Sequence, residues 1–126
     1  MKKLFSFWVM LAFVAASCGP SPLQQKYRVA SSHVDAGLYD EALKLLNEVL
    51  SENPVYTNAL ALRARVFLNQ GKYELACKDL TLFAEEYQKK PINNLSDQED
   101  LTRALNNKKR ACGELLEKYP ELLPKK

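Results

Sequence analysis

Gly37-Leu38-Tyr39-Asp40-Glu41-Ala42 and Gly71-Lys72-Tyr73-Glu74-Leu75-Ala76 are two copies of one pattern, Gly-x-Tyr-x-x-Ala, and they begin 34 residues apart. Each copy follows an apolar stretch of helical period and opens another. A glycine at such a junction supplies backbone angles that a Cβ would penalise. A tyrosine two residues on can fill the wedge between two helices, and an alanine three further lets them approach closely. Ala30 and Ala64, each seven residues before its glycine, are also small and would face the helices of Ala42 and Ala76. After the first copy, Leu46, Val49 and Leu50 continue the apolar face to Asn53-Pro54. After the second, Leu80, Phe83 and Ala84 do so toward Tyr87 and Pro91.

Working outward, the punctuation predicts five helices. They span about 22–36, 38–52, 55–70 with Pro54 in the first turn, and 72–89, with a fifth after the loop Lys90 to Leu95. Ser96-Asp97-Gln98-Glu99 reads as a capping box for the fifth helix, which runs to about Lys118 and stops at Tyr119-Pro120. Leu101, Leu105, Lys108, Cys112, Leu115 and Tyr119 recur on it at three- and four-residue steps. The apolar members of that stripe are expected to pack on the fourth helix and cap the open end of the array.

The repeat resembles the tetratricopeptide repeat, a 34-residue helix–turn–helix unit with a turn Gly, a Tyr two on, an Ala three further and a closing Pro twelve after the Ala. Gly37, Tyr39, Ala42 and Pro54 fit these offsets; Gly71, Tyr73 and Ala76 fit again, but the closing position falls on Gln88, with Pro91 three residues late. The resemblance implies an all-α, right-handed array of two units, 23–56 and 57–90, followed by a loop, capping helix and polar tail over 91–126. It also implies an ion pair between Arg63 and Asp79 and a concave, protein-binding groove lined by the first helix of each unit. Carried over by repeat position, that lining is Gln24, Tyr27, Ser31, Val34 and Asp35, then Asn58, Ala61, Arg65, Leu68 and Asn69. Positions at which some members clamp a terminal carboxylate with Lys and Asn hold Tyr27, Ser31 and Leu62, so that clamp is not expected.

The amino terminus reads differently. Lys2 and Lys3 precede an uncharged 13-residue stretch, Leu4 to Ala16, which is too short to span a bilayer and has the length of a signal-peptide core. Ala15-Ala16-Ser17-Cys18 then resembles the lipobox of bacterial lipoproteins, with Ala15 where Leu is usual. The resemblance implies a leader over 1–17, a lipid such as palmitate on Cys18, and a tether over 18–22. Gly19 in place of Asp after the cysteine implies outer-membrane sorting, with the fold facing the periplasm. An ordinary secretory leader that leaves Cys18 free and an uncleaved anchor are the alternatives.

Cleavage would leave 109 of the 126 residues and remove two of the 18 Lys+Arg but none of the 15 Asp+Glu, taking the formal charge from +3 to about +1. One domain of that charge does not suit nucleic acid. Two cysteines then remain, Cys77 and Cys112. In an oxidising compartment a disulfide is one reading and two packed thiols the other. His33 is the lone histidine and sits where the repeat is usually apolar; no triad, zinc spacing or phosphate loop accompanies it. The expectation is therefore a non-enzyme without cofactor, metal or small-molecule substrate, whose partner is another envelope protein. The alternative is a small structural subunit held permanently in one membrane-associated complex.

Overall fold

The computed structural model describes residues 19–91 and 93–118; the leader, Cys18 and the Tyr119-Pro120 stop lie outside the described residues. Five helices follow one another: α1 (Pro22–Asp35), α2 (Tyr39–Glu52), α3 (Thr57–Asn69), α4 (Tyr73–Gln88) and α5 (Leu95–Lys118). The fold is an all-α, TPR-like helical array. Its consecutive helices are antiparallel, and side-chain pairs tie the first junction and the last. Lys26 near the start of α1 reaches Glu52 at the end of α2 at 2.6 Å, and the Tyr87 hydroxyl at the end of α4 donates to the Asp97 carbonyl at the start of α5 at 2.9 Å.

The two glycine turns are built alike. Gly37 and Gly71 have φ of +75° and +69°, the left-handed region that an L side chain disfavours. The Leu38 N–H donates to the His33 carbonyl and the Gly37 N–H to that of Val34. The Lys72 and Gly71 N–H groups do the same to Phe67 and Leu68. Both helices thus end in Schellman motifs, which satisfy carbonyls left over at a helix C-terminus. Beyond each turn Ala42 and Ala76 are fully buried, as are Ala30 and Ala64. Leu46, Val49, Leu60, Val66 and Leu80 fill the space between the layers. Each contributes roughly 1.5–3 kcal/mol by leaving water.

Helix α1 begins at Pro22, where the first helix was expected, and draws Ser21 out of the expected tether as its cap: the Ser21 hydroxyl accepts the Gln24 N–H at 3.2 Å and Pro22 occupies the first turn. Two boundaries depart from the sequence expectation. Pro54 lies before α3, not inside it, because Asn53 makes a turn of its own. Its Oδ1 accepts from Val55 N–H and its carbonyl from Tyr56 N–H, so α3 starts at Thr57. The cap of α5 is Asn94, whose Oδ1 accepts the Asp97 N–H at 2.8 Å. Ser96 therefore falls within the first turn, and an Asn–Asp spacing replaces the expected Ser–Glu box.

The stripe on α5 is also rotated. Ala104 and Ala111 are its buried residues, Leu101, Lys108 and Cys112 are half-buried, and Leu105 is 41 % exposed. The Leu115 side chain and Tyr119 lie outside the described residues. Alanine wins the contact because it lets α5 lie close to α4, where Cys77 and Cys112 are joined as a disulfide with Cα atoms 5.0 Å apart. Glu114 faces Tyr73 across the same helix pair and, acting on its hydroxyl, holds that phenol above its ordinary value.

Candidate functional site: a three-walled groove

Arg63 sets the spacing between α3 and α4. Its Nε and Nη2 donate to the two oxygens of Asp79 at 2.7 and 2.8 Å, and its Nη1 donates to Asn47 Oδ1 on α2 at 2.9 Å. The guanidinium carbon also lies 5.8 Å from the Phe67 ring centroid. One side chain thereby ties three helices, and the bidentate geometry fixes their relative positions as a single-point contact would not.

The concave side that results holds a cavity of about 320 Å³. Leu62, Leu80 and Phe83 form its apolar base. Tyr27 of α1 forms one wall, and Asn58, Ala61 and Arg65 of α3 line the middle. Opposite stand Asp97, Asp100, Arg103, Ala104 and Asn107 of α5, with Tyr87 at the corner. Both tyrosines are steadied by aromatic neighbours: Tyr27 meets Tyr56 edge-on at 5.6 Å, and Tyr87 lies 5.0 Å from Phe83. Burial, and then the neighbouring Tyr56, raises the Tyr27 phenol above its ordinary value; burial, then Asp97 and Asp100, does the same to Tyr87. Both rings are therefore neutral hydrogen-bonding groups at physiological pH. Two ion pairs stand along the groove, Arg65 with Asp35 at 3.1 Å and Arg103 with Asp100 at 3.5 Å, while the Asp97 carboxylate takes part in neither.

The ten residues placed in the groove by repeat position separate into groups. Tyr27, Asn58, Ala61 and Arg65 line the one cavity, and Asp35 holds Arg65 at its rim. Ser31 is half-buried and Gln24 exposed on α1, and neither lines the cavity. Asn69 donates to the Tyr39 hydroxyl at 3.2 Å, bracing α3 against the start of α2. Val34 and Leu68 are corrections: at 6 % and 7 % exposure they belong to the core, because each sits in the turn just before a glycine junction where two helices converge. His33 is half-buried beside Val34.

The whole α5 wall was beyond the repeat-based reading, which treats the fifth helix as a cap. The signal was present in Asp97, Asp100, Ala104 and Asn107, which recur at three- and four-residue steps and so share a face. Among the described residues no helix is long and apolar enough to cross a membrane, and no group of three His, Cys, Asp or Glu stands together as a metal site.

No curated protein and no solved structure matches the chain. A match to the tetratricopeptide repeat family model covers residues 33–78. That span runs from the last turn of α1 into α4 and contains both Schellman turns. The segment that builds the turns and the close helix contacts thus matches the tetratricopeptide repeat, a module that generally mediates protein–protein interaction.

Proposed function

We propose that the protein is a lipid-anchored adaptor that uses its three-walled groove to hold a segment of another envelope protein, assisting assembly or stability of an envelope complex. The observation that carries this reading is the groove itself. An apolar base of Leu62, Leu80 and Phe83 lies beneath a rim that carries two ion pairs, the Asp97 carboxylate and amide side chains. Such a lining suits a peptide: an apolar side chain fills the base while Asn58 and Asn107 are placed to bond its backbone. The anchor is Cys18, which follows Ala15-Ala16-Ser17 after the short apolar leader, and the orientation is toward the periplasm from the outer membrane.

Crosslinking followed by pull-down from native membranes tests the adaptor. Tyr27→Ala and Arg65→Ala are expected to keep the fold and lose the captured protein; capture unchanged in both would remove the groove from the function. Metabolic labelling with a tagged fatty acid tests the anchor. Cys18→Ala is expected to lose label and accumulate as precursor, and normal processing of that variant would exclude lipidation.

A further inference from the structure

One end of the array gathers the start of α1, the 53–56 turn, the segment after α4 and the start of α5. Tyr27, in the second turn of α1, and Tyr56, the residue that caps α3, lie with ring centroids 5.6 Å apart. One surface depression is lined by Asn53, Val55 and Tyr56 of the turn and by Tyr87, Lys90 and Asp97, so the turn and the α4–α5 segment are neighbours. The Schellman turns at Gly37 and Gly71 lie at the other end, a helix length away. For α1, 14 residues long, that is about 21 Å.

The N-terminal segment, residues 1–18, joins the array at this first end. Cys18 is three residues before Ser21, the cap of α1, so an extended connection reaches at most about 11 Å. A lipid on Cys18 would hold the start of α1 within that distance of the bilayer. The same end carries Leu95, at 70 % the most exposed large apolar side chain among the described residues; Val55 in the 53–56 turn, at 43 %, is matched at the glycine-turn end by Leu38 at 46 % and Leu75 at 44 %, so Leu95 is what sets this end apart. Lys90 shares the depression with Val55 and is exposed, with a stem long enough to lie along an interface while its ammonium group remains in water; Lys89, also exposed, pairs with Glu86.

We infer that this end is a membrane-contacting edge: Leu95 and Val55 enter the headgroup region of a phospholipid bilayer while the glycine-turn end points away. The inference rests on the anchor reading. It goes beyond that reading by fixing which surface meets lipid, and it leaves the groove open sideways to a partner.

Tryptophan reporters test it, because the only natural tryptophan, Trp8, lies in the proposed leader. Full-length protein carrying Leu95→Trp or Val55→Trp, and far-end controls Leu38→Trp and Leu75→Trp, is purified from membranes and reconstituted in phosphatidylcholine vesicles with or without brominated phosphatidylcholine. Quenching at 95 and 55 is expected to exceed that at 38 and 75 at least twofold. Equal quenching at both ends, stronger quenching at 38 and 75, or none at any position overturns the edge. Intact mass on the same preparation reads the anchor separately. Should Cys18 carry no lipid, the anchor reading falls by itself. The same variants are then coupled through the Cys18 thiol to a maleimide-phospholipid, and their quenching pattern decides the edge by the same criteria.

Discussion

Asp79 is 4 % exposed, and both of its oxygens are occupied by Arg63. Replacing it by Ala leaves a half-buried guanidinium with only Asn47 and solvent as partners. The expected loss is about 2–3 kcal/mol, below that of a fully buried pair because the Arg63 side chain keeps 22 % exposure. Urea unfolding of Asp79→Ala checks it, with Asp79→Asn intermediate. Tyrosines give a second prediction at this scale. The phenols of Tyr27, Tyr73 and Tyr87 are all raised above 10.0, by burial for the first and third and by Glu114 acting on the hydroxyl for the second. The folded state binds these protons more tightly than the unfolded one. Their contribution is therefore complete below pH 10 and is lost as pH rises through the folded values. The urea midpoint should fall in step with the appearance of tyrosinate absorbance above that pH.

Helix ends and helix interiors use glycine oppositely. A Cβ at Gly71 would meet nothing within 4 Å, so the penalty for Gly71→Val is backbone strain at φ +69°, about 1–2 kcal/mol, and not a clash. Gly113 is inside α5, again with open space around a Cβ, and there Gly113→Ala should stabilise by about 0.5–1 kcal/mol. Thermal melts of the two variants should move in opposite directions; a shared direction would contradict the turn geometry. These same elements show what can be read from residue order. The Gly-x-Tyr-x-x-Ala copies mark two junctions because a left-handed turn and a close helix contact each demand one residue type. The cap of α5 was not legible in this way. Asn94 and Ser96 both suit an N-cap, and the choice was made by Tyr87 gripping the Asp97 carbonyl from another helix.

At the scale of the molecule, α5 is tied to the rest largely by small residues and one covalent bond. Ala104 and Ala111 are its buried side chains among those described, and alanines contribute little apolar area. The disulfide closes a separation of 35 residues, for which chain entropy gives about 3–4 kcal/mol. Cys112→Ser should lower stability by that order, with faster hydrogen exchange concentrated in α5. Reduction of the parent should reproduce both effects, and unchanged exchange in α5 would mean that packing alone holds it. The groove was legible in the sequence to the same uneven degree. Tyr27, Asn58, Ala61 and Arg65 follow from repeat position, whereas its third wall depends on the rotation of α5. Its leucines at 101 and 105 suggested a different face until Ala104 and Ala111 took the contact.

Five antiparallel helices are an odd number, and parity has a consequence for where the ends go. An even count returns a chain to the side from which it started; here the start of α1 and the end of α5 fall on opposite sides. With 24 residues, α5 alone is about 36 Å long. The module is therefore a spacer as well as a groove. Whatever is joined after Lys118 is carried across the full height of the array from whatever is joined before Ser21. A reporter or partner fused there would stand clear of the surface that the first end touches.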